Sequence, residues 1–178
     1  MRRSLLAVAC LLGLAACDTP KPRPAAPPPP QAAAPPDAAA PKAEPAPALS
    51  AGLASRGPAS GFFLDQVGQA VDPANRKPAA TSAAAPLTII GFAFDDPAKM
   101  PAKGVDVVLD GVARPATYGQ ARPDVAAYFK NPALTNVGFT ADLPAGTLPP
   151  GPHKVSLRVI AADGAGYFET PQVEVTVR

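Results

Sequence analysis

The chain is poor in the residues that do covalent and acid–base chemistry. It has no Trp, one His and two Cys among 178 residues. Both cysteines, Cys10 and Cys17, fall within the first 17 positions. Everything after them therefore has no disulfide, no thiolate nucleophile and no cysteine metal site. His153 stands alone just after Pro149-Pro150-Gly151-Pro152, at the start of a strand pattern. A catalytic histidine needs a nucleophile and an orienting acid, so a structural role is expected for it. Charged residues make up 17% of the chain and the net charge is +2, with no basic cluster. That balance argues against nucleic acid as a partner. No glycine-rich loop follows a strand and opens a helix, so a phosphate-binding loop is absent. Asp95, Asp96, Asp106, Asp110 and Asp163 have no calcium-loop spacing. No metal, no cofactor and no enzymatic activity are expected.

Proline is abundant instead, and unevenly so. Thirteen of the 26 prolines lie between Pro20 and Pro58. From Asp18 to about Ala59 the chain is mostly Pro and Ala with scattered charges, including four consecutive prolines at Pro27 to Pro30. Proline removes amide donors, and such a stretch buries too little apolar surface to offset its ordering entropy. A disordered, polyproline II-like spacer is expected, reaching on the order of 120 Å if fully extended. A proline-rich ligand for another protein's aromatic groove is the alternative reading.

Ahead of the spacer, Arg2 and Arg3 precede an apolar run from Leu5 to Leu14. That run is shorter than the ~20 residues a membrane-spanning helix needs, and it reads as an export signal. It ends in Leu14-Ala15-Ala16-Cys17, which resembles the lipobox of bacterial lipoproteins. The resemblance implies removal of residues 1–16, a diacylglycerol thioether on Cys17 and further acylation of the new N-terminus. More than one acyl chain gives stable membrane attachment. The competing reading is an ordinary secretory signal that leaves Cys17 free. Asp18, next to the lipidated position, resembles the inner-membrane retention signal of enterobacterial lipoproteins. The resemblance places the protein in the bacterial envelope, with its folded part on the periplasmic side.

From Gly61 onward the pattern becomes that of strands. Residues 61–67, 87–95, 104–119, 136–143, 153–164 and 166–178 read as strands, the last three by alternation and 87–95 as a central strand apolar on both faces. In 87–95, Leu87, Ile89, Gly91 and Ala93 share one face, and Ile90, Phe92 and Phe94 the other. Asp110-Gly111 and Asp163-Gly164 are turn pairs, the first a tight hairpin. Pro115 marks an edge. Residues 68–86 read as a long loop. Seven short strands with regular turn signals describe an all-β antiparallel sandwich over 60–178, preceded by the spacer over 17–59. Phe62, Phe63, Phe92, Phe94 and Phe168 are read as core filling rather than as an exposed aromatic patch.

The stretch YGQARPDVAAYFKNPALTNVGF, residues 118–139, is the densest in unusual side chains. Pro123 suits the first position of a short helix and Asn131-Pro132 stops it. Val125 and Phe129 share a helical face, with Phe129 expected in the core. The segment is expected to cross from one sheet to the other, with Arg122 and Asp124 as a local structural pair. Arg122, Asp124 and Tyr128 are also the candidate interaction loop, because loops at sandwich ends carry function.

Several motifs together resemble immunoglobulin-like modules of bacterial envelope proteins. They are Gly91-Phe92-Ala93, Leu109-Asp110-Gly111, Arg122-Pro123-Asp124-Val125, Gly138-Phe139 and Gly151-Pro152-His153-Lys154-Val155. The modules usually carry Trp where this chain has Phe92, which keeps the aromatic ring and loses the indole N–H. The resemblance implies an immunoglobulin-like sandwich without activity of its own. It would bind another envelope protein or, alternatively, cell-wall glycan.

Overall fold

A computed structural model describes residues 46–76 and 79–178. The export signal, Cys17 and the spacer up to residue 45 lie outside the described residues. The elements in chain order are β1 (Ala54–Pro58), β2 (Phe62–Val67), β3 (Ala70–Val71), β4 (Ala80–Thr81), β5 (Leu87–Asp95) and β6 (Met100–Pro101). Next come β7 (Gly104–Leu109), β8 (Val112–Pro115), β9 (Thr117–Gln120), α1 (Pro123–Tyr128) and a 3-10 turn (Pro132–Asn136). The chain ends with β10 (Gly138–Leu143), β11 (Gly151–Ile160), β12 (Gly166–Glu169) and β13 (Val173–Val177).

These strands form two sheets, as expected for an all-β sandwich. In the first, β7 and β8 make the hairpin around Asp110-Gly111, and β11 pairs with the free side of β7. Both turn residues have positive φ, 48° and 86°, which the tight hairpin requires. The other side of β11 is covered by β12 and β13 in succession. These two are one strand interrupted at Thr170, whose hydroxyl accepts the Leu157 N–H at 2.9 Å. In the second sheet the order is β3-β2-β5-β10-β9, with β6 beside the end of β5. Val105, Val107, Val155, Leu157, Val159 and Val175 from the first sheet meet Leu64, Val67, Ile89, Ala93, Phe139 and Ala141 from the second. Those of the first sheet recur at every second position of their strands, so period-two patterning aims them at one face, the one that meets the other sheet.

Four features depart from the sequence expectations. First, the fold begins well before residue 60. The buried Asp106 carboxylate accepts the Leu49 N–H at 3.0 Å and the Ser50 N–H at 2.7 Å. β1 then pairs in parallel with β12, inside the region that composition assigned to the spacer. Second, the loop 68–86 contains β3 and β4, and β4 adds a second parallel edge pair against β13. Third, residues 104–119 do not return as one strand. Pro115 lacks an N–H, and at Ala116 the chain leaves the first sheet as β8 and enters the second as β9. Fourth, α1 does not cross between sheets, because β9 and β10, which it links, are neighbours in the same sheet. The crossing is made at Ala116 instead.

The segment after β9 folds back over the outer face of the second sheet. Phe94, Val125, Leu134 and Val137 form a small core there, separate from the main one. α1 stops as its pattern requires. Lys130 takes a left-handed conformation (φ 51°), and the Lys130 and Asn131 amides bond back to the Ala127 and Ala126 carbonyls. This is the usual glycine closure of a helix carried by a lysine. Asn131 caps the next turn by accepting the Ala133 N–H at 3.1 Å.

Candidate interaction face

The outer face of the second sheet brings together three motifs that lie far apart in sequence. Phe63 of β2 stands opposite Phe92 of β5, and Phe92 stands opposite Gly138 of β10. β2 carries an irregularity between Leu64 and Gln66, and Asp65 sits in it. Arg122 follows β9 at the edge and stretches back across this face. Its guanidinium carbon lies 5.2 Å from the centre of the Phe92 ring. Nη1 donates to Asp65 Oδ2 at 2.6 Å, three strands from where the side chain starts. Nε and Nη2 donate to the two oxygens of Asp124 at 2.9 and 2.8 Å. This planar fork is the geometry at which arginine is strongest.

Glycine at 138 makes room for the crossing. A Cβ there would stand 3.0 Å from the Arg122 Cγ and 3.0 Å from the Gln120 carbonyl oxygen. Gly91 serves the same face from below, since a Cβ there would lie 2.2 Å from the Phe63 carbonyl oxygen. The Gly-Phe-Ala, Arg-Pro-Asp-Val and Gly-Phe motifs are thus parts of one clasp. Arg122 holds the Asp124 carboxyl below its usual range, chiefly through their hydrogen bonds.

From the clasp an aromatic row runs toward α1. Phe63 stacks on Phe92 at 6.3 Å between ring centres, and Phe92 on Phe94 at 6.5 Å. Phe129 meets Phe94 edge-on at 5.0 Å, and Tyr128 meets Phe129 edge-on at 5.0 Å. Beyond Phe94 exposure rises, from 2% at Phe94 to 40% at Phe129 and 81% at Tyr128. Phe129 is therefore not the core residue that its spacing from Val125 suggested. Val125 takes the buried position, and Phe129 leans over Phe94 with one side in solvent. Of the phenylalanines expected in the core, Phe94 is fully buried and Phe62 packs against the main core. Phe63 and Phe92 form the partly exposed floor of the face, and Phe168 lies on the other sheet.

Beneath the same region, Tyr118 fastens β9 to β5 and to the residue after β6. Its hydroxyl donates to the Ala93 carbonyl at 2.7 Å and accepts the Ala102 N–H at 3.0 Å. Burial pushes its ionisation up to about 12.

The structure brings Arg122 and Asp124 together and leaves Tyr128 free of them at the tip of the aromatic row. Sequence reasoning missed Asp65 and the part played by Gly138. The irregularity of β2 that places Asp65 leaves no sequence mark. Gly138, by contrast, belongs to the Gly-Phe motif that the sequence displays.

The remaining acids are spread among structural tasks. Asp95 accepts the Ala98 N–H at 3.0 Å and the Ala162 N–H at 2.9 Å, tying the end of β5 to the turn after β11. Asp163 accepts the Ala165 N–H at 2.9 Å within its own turn and pairs with Arg56 at 2.8 Å. Among the described residues, no three His, Cys, Asp or Glu side chains gather in metal-binding proximity, and no helix is long and apolar enough to cross a membrane.

These features define an all-β sandwich with one clasped, aromatic outer face. No family model matches the chain, and no curated protein matches it. Among solved structures, a mutant of Kfla1895 is similar at 19% identity over 60% of this chain, with a TM-score of 0.38. The chain covers 13% of that protein's length.

Proposed function

We propose that this chain is a non-enzymatic lipoprotein of the bacterial envelope whose sandwich is a docking module for another envelope protein. The observation that carries the reading is Tyr128, 81% exposed at the end of a row of rings fixed to a sheet. Tyrosine supplies large contact area at low entropic cost, and it is enriched where interfaces concentrate their energy. α1 is anchored by Val125 in the small core, so Tyr128 is presented from a firm base. The lipobox-like Leu14-Ala15-Ala16-Cys17 supports attachment through Cys17, and the Pro/Ala-rich segment after it supports a spacer. Asp18 supports retention at the inner membrane.

Two observations favour a protein over a cell-wall glycan. Sugar-binding platforms need an open aromatic face, and Arg122 covers that of Phe92. The exposed remainder is two rings set edge to face, which suits an apolar side chain better than a flat pyranose.

The test is a photoreactive phenylalanine analogue at position 128 in the full chain, expressed in its own cells and irradiated. The same analogue at position 71 is the control, since Val71 is 56% exposed on the short strand β3. A discrete protein adduct at 128 and not at 71, found in the membrane fraction and lost from it in the Cys17→Ser chain, is expected. Adducts to glycan strands would favour the carbohydrate reading. Equal labelling at both positions would overturn the docking face. A Cys17→Ser chain that is processed yet stays in the membrane would overturn the anchor.

A further inference from the structure

At the far end of the sandwich, the imidazole of His153 is held between two oxygens. Nδ1 lies 2.7 Å from Asp110 Oδ2, and Nε2 lies 2.7 Å from the Pro149 carbonyl oxygen. The side chain is 8% exposed. A carbonyl oxygen only accepts, and an ionised carboxylate only accepts. Both ring nitrogens must therefore carry hydrogen, so the arrangement calls for the imidazolium. In the neutral ring one nitrogen has a lone pair, and at 2.7 Å that lone pair would face an oxygen lone pair.

We propose that His153 is a proton-operated latch that holds the loop 144–150 over the end of the core. The loop has an apolar anchor, Leu148, which packs against the main core. It also bonds to the segment before β5, where the Gly146 N–H reaches the Ala83 carbonyl at 3.0 Å. Pro149 follows Leu148 directly, so the His153 bond to its carbonyl fixes the residue next to the plug. On the other side, Asp110 fixes the β7–β8 hairpin. Its second oxygen accepts the Lys154 N–H at 2.9 Å, so the carboxylate keeps a partner whatever the ring does. When the proton leaves, the remaining N–H stays with the charged Asp110 and the Pro149 carbonyl is released. The charged groups around the ring are few. His153 stands opposite Val175 of β13, whereas Lys154 and Glu174, opposite each other in the register, belong to the other face of the sheet. Asp110 is the ionised group that meets the ring.

The direction of the pH effect follows. Asp110 chiefly, opposed by burial and helped by the Pro149 carbonyl, raises the His153 value above 6.5. The latch is thus complete below about 6.5 and is lost as pH rises through the higher folded value. Asp110 is lowered from 3.8, first by the Lys154 amide and then by His153. Its contribution is present above that value and is lost as pH falls through the lower folded one. The loop is held between these limits.

NMR of the full chain tests the proposal by following the His153 ring protons and the exchange of the Gly146 amide from pH 5 to 9. Exchange rates are corrected for their intrinsic pH dependence. Gly146 protection should fall severalfold with the same midpoint as the His153 titration, and that midpoint should lie above 6.5. In His153→Gln, protection should be weaker and independent of pH across this range. A His153 midpoint at or below 6.5, or Gly146 protection that ignores the titration, overturns the latch. Both readings come from the unmodified chain, so the result stands even if the variant folds poorly.

Discussion

At Arg122 three attractions act on one planar group: a fork to Asp124, an ion pair to Asp65, and contact with the Phe92 ring. The side chain is 22% exposed, so these bonds are partly shielded from water. Exposed pairs are worth at most about 1 kcal/mol, whereas hydrogen bonds to charged groups reach about 1.5–3 kcal/mol. Arg122→Ala should cost about 2 kcal/mol and lower the melting temperature by several degrees for a domain of this size. Arg122→Lys should recover little, because an ammonium cannot make the fork and lie flat on the ring together. Gly138→Ala isolates the steric part. The new methyl must displace Arg122 or the Gln120 carbonyl, which costs about 1–3 kcal/mol. Thermal melts of Asp65→Ala, Arg122→Ala and the double variant measure the coupling. Additive losses would mean that the contact across the sheet contributes nothing.

The elements show which parts of this fold a sequence displays. Strands with one face in the core, such as β11 with Val155, Leu157 and Val159, announce themselves by alternation. The hairpin at Asp110-Gly111 does so by its turn residues. β1, β3 and β4 give no such signal. They are short edge strands with little in the core: β1 is mostly exposed, β3 and β4 each bury one small residue, Ala70 and Thr81, and all three exist because a neighbouring strand offers unpaired backbone groups. Composition therefore assigned β1 to the spacer. The segment 118–139 was legible as a short helix with a proline start and an Asn-Pro stop. Its destination was not, because the switch from one sheet to the other at the single residue Ala116 is decided by tertiary pairing. The Arg122–Asp124 pair was legible because it is local, and the bond to Asp65 was not because it spans 57 residues. The exposure of Phe129 departs from the expectation for a related reason: helical spacing says which residues share a face but not how far the face is covered. The consequence is measurable. Phe139 is fully buried in the main core, and Phe139→Ala should cost about 3–5 kcal/mol. Phe129→Ala, at a residue 40% exposed, should cost roughly 1–2 kcal/mol. Denaturant midpoints of the two variants check the order. A larger loss at Phe129 would mean that the small outer core, not the sandwich, limits stability.

Over the whole molecule, the question is where the spacer ends and the fold begins. Composition puts the boundary near residue 60. The bonds put it near residue 48, because the Ala51 amide closes a turn on the Ala48 carbonyl and the next amides are held by Asp106. Asp106 is wholly buried and lies in the middle of β7. A carboxylate in that place is costly unless its charge is bonded, and the Leu49 and Ser50 amides supply the bonds. The strap and the buried acid therefore depend on each other. Removing the acid leaves two amides without their acceptor, at a cost of about 3 kcal/mol. Limited proteolysis of the full chain with a broad-specificity protease should leave a resistant fragment that begins ahead of Leu49. In Asp106→Ala the strap is untied while β1 keeps its pairing with β12. The resistant fragment should then start between residues 49 and 54, and the remainder should melt at lower temperature. N-terminal sequencing of the fragments reads both outcomes. A wild-type fragment that starts near residue 60 would remove β1 and the strap from the stable fold. An Asp106→Ala chain that is cut like the wild type would show that β1 alone holds the N-terminal segment in place.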